Sequence, residues 1–464
     1  MANESAIKGT GLDGVTPSSE AGSSVRAVHL GERLRGLRVA AGLTQSELAG
    51  GRFSKEYLSQ IERSKTRPTA ETLEWLAARL AVDTGFLESG VSAEERSRVE
   101  AALARAEALL EAHRYEDALA ELARGRNFAE ETGAVAGTGA PELELRSLLA
   151  ESWARIQQGE IQQALGLLVR ARELAERPGR SDVDRAAVIF RLGVCRYKLS
   201  SISTAVGLLD EALALADRSG LPCDLLRSDI LGWRSRCYRR QRDWQAARED
   251  VERALELAQS AGDHQAMANT YFQASLVAER EGHWLLARTY AERARGFYEE
   301  LADRANVGRM LNNLGGLNFT LGNPERAVRL LEEAFRVAID TRSEVDAGQA
   351  MCSLAEVHLG TGEPEQAEVK ARKALELLGD RVDYLYEIGT AQLALGRALL
   401  EQDRLNEAEE ILIAADSSFE QLSSVSHRAA AWVAQGDLAQ KRGADREAAR
   451  QYRRAAEALQ DFRF

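Results

Sequence analysis

The chain has 464 residues, 45% of them hydrophobic and 28% charged, with only 7 prolines. It is too long for one ordinary core, so two or three domains of a soluble, helix-rich protein are expected. The formal net charge of −12 excludes a uniformly basic nucleic-acid binder but not a basic module on an acidic body. The cysteines (Cys195, Cys223, Cys237, Cys352) form no C-x-x-C pair, and a chain of this size does not need disulfides to fold. No signal-peptide core and no uncharged apolar run of membrane-spanning length is present, so a reducing cytoplasm and no membrane partner are expected.

Residues 1–26 are rich in Gly, Ser, Thr and Ala without hydrophobic period, which predicts a flexible tail. From Val28 a helix places Leu30, Leu34 and Leu37 on one stripe beside Arg33, Arg35 and Arg38. Thr44 and Glu47 have the spacing of a capping box and open a short second helix carrying Leu48 and Ala49. Gly50 and Gly51 break it, and Ser54 can cap a third helix with Leu58 and Ile61 on one face. Lys55, Glu56, Ser59 and Gln60 then fall on the opposite face. Pro68-Thr69 restarts the chain into a helix with Leu73, Leu76 and Leu80, near Trp75, and a turn at Phe86-Leu87 closes a five-helix domain spanning 27–90. Two short helices around a Gly-containing turn, the second with polar residues at its N-terminus, are what a major-groove reader requires. Residues 29–68 hold eight basic and four acidic residues, a local charge of +4 that leaves −16 for the remainder.

These residues resemble the helix-turn-helix of the Xre (Cro/phage-repressor-like) family. The markers are Arg33-Leu34-Arg35, Gly42-Leu43-Thr44-Gln45, Leu48-Ala49, Leu58, Ile61-Glu62-Arg63, Lys65 and Pro68. The resemblance implies a lambda-repressor-like domain bound to a double-stranded operator. Gln45 would bind phosphate, Lys55, Glu56 and Gln60 would face base edges, and Arg63, Lys65 and Arg67 would lie along the backbone. Arg35, Ser54, Tyr57 and Ser59 complete the expected contact set. Two departures stand out: the segment between Ala49 and Lys55 is one residue short, and Ser64 occupies a position usually held by glycine, which predicts a strained turn.

Beyond residue 95 one unit repeats. Its anchor alanines are Ala118, Ala164, Ala205, Ala247, Ala287, Ala327, Ala367, Ala408 and Ala448, separated by 46, 41, 42, 40, 40, 40, 41 and 40 residues. Another small residue lies seven positions on, from Gly125 to Ala455, and a glycine twelve positions back at Gly193, Gly315, Gly396 and Gly436. Small residues at these points let paired helices approach closely, and a fixed period of this size predicts an α-solenoid over 95–464. The units look like nine tetratricopeptide repeats, similar to those of bacterial regulators that sense peptides. They exceed the usual ~34 residues, so longer helices are expected. The Gly/Ala/Thr stretch between Glu130 and Pro141 is the one irregular loop, read as a tolerated insertion.

In such an array the first helix of each pair lines the inner face. Phasing from the glycine position places Tyr197, Arg236, Arg239, Arg240, Asn269, Phe272, Arg280, Arg309 and Asn312 there. Arginine forks pair with carboxylates and asparagine with peptide backbone, a combination suited to an extended peptide with a free or acidic end. The scattered histidines have no metal-ligand spacing, and no phosphate loop or nucleophile elbow occurs, so no cofactor, no metal and no enzymatic role are expected. The all-α chain is therefore read as a DNA-binding transcriptional regulator, a homodimer whose repeats sense a peptide or protein signal. The competing readings are a scaffold that binds a protein partner and is tethered to DNA by its N-terminal domain, and a repressor whose repeats only oligomerise.

Overall fold

The computed structural model describes residues 20–89, 93–131, 141–379, 381, 384–422 and 425–460. Every regular element among them is an α-helix, and none is long and apolar enough to cross a membrane. The chain divides into two compact units, with the boundary between Arg180 and Ser181, inside the repeats. The chain passes from one to the other through a turn containing Pro178 and Gly179.

The first unit opens with α1 (Glu20–Ala40), α2 (Gln45–Ala49), α3 (Lys55–Glu62), α4 (Ala70–Arg79) and α5 (Thr84–Ser89). These are the five helices the sequence predicts. Their core is Leu34, Leu48, Leu58, Leu76 and Leu87, all fully buried, with Ile61, Leu30 and Leu73 around them. The expected tail is shorter than 1–26. Glu20–Arg26 belong to α1, because no proline interrupts the chain between Pro17 and Pro68 and the helix can extend backwards. Residues 1–19 lie outside the described residues. Two hairpins follow, α6 (Ala93–Glu111) with α7 (Tyr115–Glu131) and α8 (Pro141–Gln157) with α9 (Ile161–Ala175). Residues 90–92 and most of the irregular loop, 132–140, lie outside the described residues.

The second unit stacks seven hairpins. Their first helices are α10 (Asp182–Lys198), α12 (Asp224–Gln241), α14 (His264–Arg280), α16 (Arg304–Thr320), α18 (Glu344–Gly360), α20 (Leu385–Glu401) and α22 (Val425–Lys441). Their partners are α11 (Ile202–Arg218), α13 (Trp244–Ala261), α15 (Trp284–Glu300), α17 (Pro324–Asp340), α19 (Pro364–Leu378), α21 (Leu405–Gln421) and α23 (Asp445–Gln460). Each first helix packs on its partner, and first helices such as α12 and α14, or α18 and α20, also touch one another, so they form the inner layer. Two 17-residue helices with three-residue turns, as in α14 and α15, account for the forty-residue period.

The spacing has a physical cause at each point. The residue three before each anchor is the first of a second helix: a large apolar side chain in six of them, Asp445 in α23, and proline in α17 and α19, where its missing N–H costs nothing. Eight of the nine anchor alanines are wholly buried and Ala448 nearly so. A Cβ at Gly315 would lie 2.5 Å from Leu331, at Gly396 2.5 Å from Leu412 and at Gly436 2.5 Å from Tyr452, four residues past the anchor in each case. A second tight position, unpredicted, lies seven residues earlier in three first helices: Gly308 against Val337, Gly348 against Leu378 and Gly389 against Phe419. Five residues before each anchor the backbone turns through the left-handed region, with glycine in five hairpins and His113, Ser200, Arg242 and Asp403 in the others.

Gly396→Ala should therefore lower stability by about 1–3 kcal/mol, because Leu412 must be displaced. Gly316→Ala, in a helix with open space around the added methyl, should raise it by up to about 1 kcal/mol. Thermal unfolding of the two variants side by side checks both signs.

Candidate nucleic-acid interface and inner face of the array

Local signals set the turn between α2 and α3. Thr44 Oγ1 accepts from the Glu47 N–H at 3.2 Å while a Glu47 carboxylate oxygen accepts from the Thr44 N–H at 2.7 Å, completing the capping box. That pairing holds the Glu47 carboxyl below its ordinary range. Gly50 ends α2 with φ +55, and Ser54 Oγ accepts from the Tyr57 N–H at 3.1 Å to start α3. Leu58 and Ile61 are buried, while Ser54, Lys55, Glu56 and Gln60 are exposed. Arg35, Arg63, Lys65 and Arg67 are exposed as well.

Three of the expected contact residues are half-buried. Tyr57 packs its ring 5.7 Å from Phe53, which meets Trp75 edge-on at 5.2 Å. Ser59 sits at the flank of α3. Gln45 donates its side-chain amide to Glu62 Oε2 at 2.8 Å, so one of its amide hydrogens serves the fold. Gln60 Oε1 accepts from Thr66 Oγ1 at 3.0 Å, which ties the exposed side chain to the turn after α3.

Glu62 is the residue the sequence left unexplained. Its side chain is 3% exposed, and it accepts from Arg38 Nε at 2.6 Å and Arg38 Nη2 at 3.2 Å, in addition to Gln45. Arg38 also donates to the Leu43 carbonyl at 2.8 Å. The Glu62 carboxylate holds the Arg38 guanidinium above its usual range. One buried carboxylate thus joins α1, the entry to α2, α2 and the end of α3. At the same junction a Cβ on Gly31 would stand 2.6 Å from the carbonyl oxygens of Ile61 and Glu62. After α3 the Ser64 N–H reaches Ile61 O at 2.9 Å and the Lys65 N–H reaches Gln60 O at 2.8 Å, with Ser64 at φ +57. This is a Schellman turn with serine in the glycine position, the strain expected there.

On the inner face the predicted residues divide into two groups. Asn269 Oδ1 accepts from Tyr298 Oη at 2.8 Å, and Arg309 pairs with Asp346 at 3.2 Å, so both brace the array. Phe272 packs into the cluster of Tyr271, Ala294 and Met310. Arg236, Arg239, Arg240 and Arg280 make no ion pair with any described residue. Arg236 stacks 4.3 Å from the Trp233 ring and Arg240 5.3 Å from that of Tyr197. The Asn312 side-chain oxygen is buried without a hydrogen-bond partner.

Glu62→Ala should lower the unfolding free energy of the N-terminal domain by about 3–5 kcal/mol, since it leaves Arg38 buried without its partner. Ser64→Gly should raise it by about 1 kcal/mol by relieving the left-handed turn. Hydrogen exchange of the α1 to α3 amides in the full chain checks both.

The comparisons with known proteins agree with these two parts. Residues 29–85 match a helix-turn-helix domain family, and residues 226–300 and 302–380 match a tetratricopeptide repeat family. A 61-residue stretch is 43% identical to the HTH-type transcriptional regulator DdrOP3 of Deinococcus deserti, 13% of this chain and 47% of that protein. The chain thus spans about half the length of that curated relative. The apo form of the quorum sensor NprR from B. thuringiensis has a similar fold, with TM-score 0.57 and 14% identity over 78% of this chain and 98% of that one. So does a Rap protein complexed with competence and sporulation factor, with TM-score 0.54 and 14% identity over 79% and 99%. The chain joins an N-terminal helix-turn-helix domain to an array of tetratricopeptide repeats.

Proposed function

We propose that the protein is a cytoplasmic, sequence-specific transcriptional regulator whose repeats receive a peptide or protein signal and hold two copies together. The observation that carries the DNA-binding part is the division of α3. Its apolar residues are buried, while Lys55, Glu56 and Gln60 stand on the open edge of a domain whose surroundings carry a local charge of +4. In this reading α3 enters the major groove, its N-terminal side chains meet base edges, and Arg63, Lys65 and Arg67 neutralise phosphates beyond its end. Gln45, steadied by Glu62, uses its remaining amide hydrogen on a phosphate oxygen. Arg35 and Ser54 lie close enough in sequence to extend the backbone contacts, and Tyr57 and Ser59 support α3 from its half-buried flanks.

A single module of this size buries little surface, so a dimer spanning half-sites about 34–36 Å apart is proposed. The repeats supply a surface large enough to bring two copies together. Their inner face supplies the receptor, with arginine forks for carboxylates and Asn312 for a peptide amide. The Rap protein of similar fold was crystallised with competence and sporulation factor, and a comparable use of the array is proposed here.

Gln60→Ala should relax discrimination at one base-pair position by about 1–3 kcal/mol. Lys65→Ala should weaken all sequences alike and reduce the salt slope by about one phosphate contact. Operator selection from a random duplex pool, followed by anisotropy titrations at several salt concentrations, measures both. Wild-type specificity in the Gln60 variant would refute the placement of α3 in the groove. Light scattering of the full chain tests the dimer.

A further inference from the structure

Most arginines in the second unit stand against an acid: Arg234 bridges Asp210 and Asp250, Arg253 meets Asp217, Arg309 meets Asp346 and Arg404 meets Glu368. The inner positions of three successive first helices differ from the rest in composition. At the inner positions one and five residues past the glycine point, α10 carries Val194 and Lys198, α12 Arg236 and Arg240, and α14 Leu276 and Arg280. These three helices thus present four cations and no acid at those positions. The same positions of α16 to α22 hold Gly316, Thr320, Glu356, Gly360, Arg397, Glu401, Asp437 and Lys441, a mixed set. Arg239, one turn along α12, adds a fifth cation held only by Gln273 at 3.1 Å.

The cations are shaped as well as concentrated. Trp233 and Tyr197 meet edge-on at 5.5 Å and carry Arg236 and Arg240 on their faces, which fixes the guanidinium planes. Arg236 Nε is buried without a hydrogen-bond partner. Burial lowers the Lys198 ammonium, which Arg236 and Arg309 lower further, and brings Arg239 down to about 10 with Arg236 and Arg280 adding to the effect. The acids near this set are Asp229, pushed up to about 6 by burial and shared between Arg191 and Arg236, and Glu279 beside Arg239. Like charges that outnumber the acids beside them destabilise the empty face and are relieved by an anion.

We propose that Lys198, Arg236, Arg239 and Arg280 form the seat for a carboxylate on the ligand, either the free C-terminus or an acidic side chain of a bound peptide. The inference rests on the peptide reading of the inner face and adds the sign and position of what is recognised. The sensed peptide is then acidic at the end that lies across α10, α12 and α14. Arg309 and Asn269 take no direct part, since Asp346 and Tyr298 already hold them.

The test uses the full chain in calorimetric titrations with four probes: an Asp/Glu-rich hexapeptide pool with free C-termini, the same pool amidated, a Lys-rich amidated pool, and inorganic pyrophosphate. The acidic free-acid pool should bind at least about tenfold more tightly than the Lys-rich pool, with added salt narrowing the gap. Arg236→Gln with Arg239→Gln should weaken it about tenfold or more, as should Lys198→Gln with Arg280→Gln, which leaves Arg236 and Arg239 in place. Arg253→Gln, on α13, should change nothing. Loss on amidation assigns the seat to the C-terminus, and retention assigns it to a side chain. If the Lys-rich pool binds equally well and neither double variant weakens the acidic pool, the carboxylate seat is refuted while the peptide reading stands. If pyrophosphate alone binds and the same variants abolish it, the anion seat stands and the peptide reading falls. Binding by no probe refutes both.

Discussion

Both units are held together by helices that meet where a side chain is missing or reduced to a methyl. In the N-terminal domain, α1 can lie against the end of α3 only because Gly31 has no Cβ to push away the carbonyls of Ile61 and Glu62. In the array, buried alanines on each second helix and glycines such as Gly315 and Gly396 on the first let leucines fill the gap between paired helices. Dispersion falls steeply with separation, so a contact loosened by even a fraction of an ångström loses much of its attraction. The period of about forty residues in the sequence is the imprint of that requirement.

Close packing alone leaves a small three-helix corner free to slide, and the Glu62 network removes that freedom. A carboxylate with so little exposure carries a large desolvation penalty, so its three donors have to be present together. Arg38 comes from α1, Gln45 from α2, and the acid itself from the last turn of α3. A shift of any one helix would strand the charge. Helix α3 is thus positioned by an interaction whose partial loss is more costly than its absence, a means of fixing angle and register rather than of adding stability. The exposed edge of α3 can remain entirely polar because positioning is done from behind.

What was legible in the sequence was local or periodic. The capping box of Thr44 and Glu47, the cap at Ser54, the strained Ser64 and the anchor alanines all act through neighbours within one or two turns or through a repeated spacing. What was missed joins residues far apart in the chain. Arg38 and Glu62 are 24 residues apart, and Arg309 and Asp346 are 37 apart. No spacing rule reveals such a pairing, so an arginine read as facing the groove could equally be braced by the next repeat. The glycines at 308, 348 and 389 form a periodic signal that was present, but it lies seven residues from the stronger one and is easily absorbed into it. The start of α1 at Glu20 was hidden by a composition of glycine and serine that suggests a coil but contains no proline.

The unbraced cations of α10, α12 and α14 gain significance from the physics of arrays. Each hairpin contacts mainly its neighbours, so the softest coordinate is the angle from one repeat to the next, and stability is close to a sum of repeat and interface terms. Cross-repeat pairs such as Arg309 with Asp346 and Arg404 with Glu368 tie neighbouring repeats by contacts internal to the chain. Around α10, α12 and α14 the cross-repeat pairs, such as Arg234 with Asp210 and Arg253 with Asp217, engage the second helices, while the inner positions of the first helices add like charges that repel one another. A counter-charge placed there acts on three successive first helices at once. It does so in a groove where the surrounding protein strengthens the attraction relative to water. The lack of acids at those inner positions is therefore what lets one bound anion act on three successive first helices together.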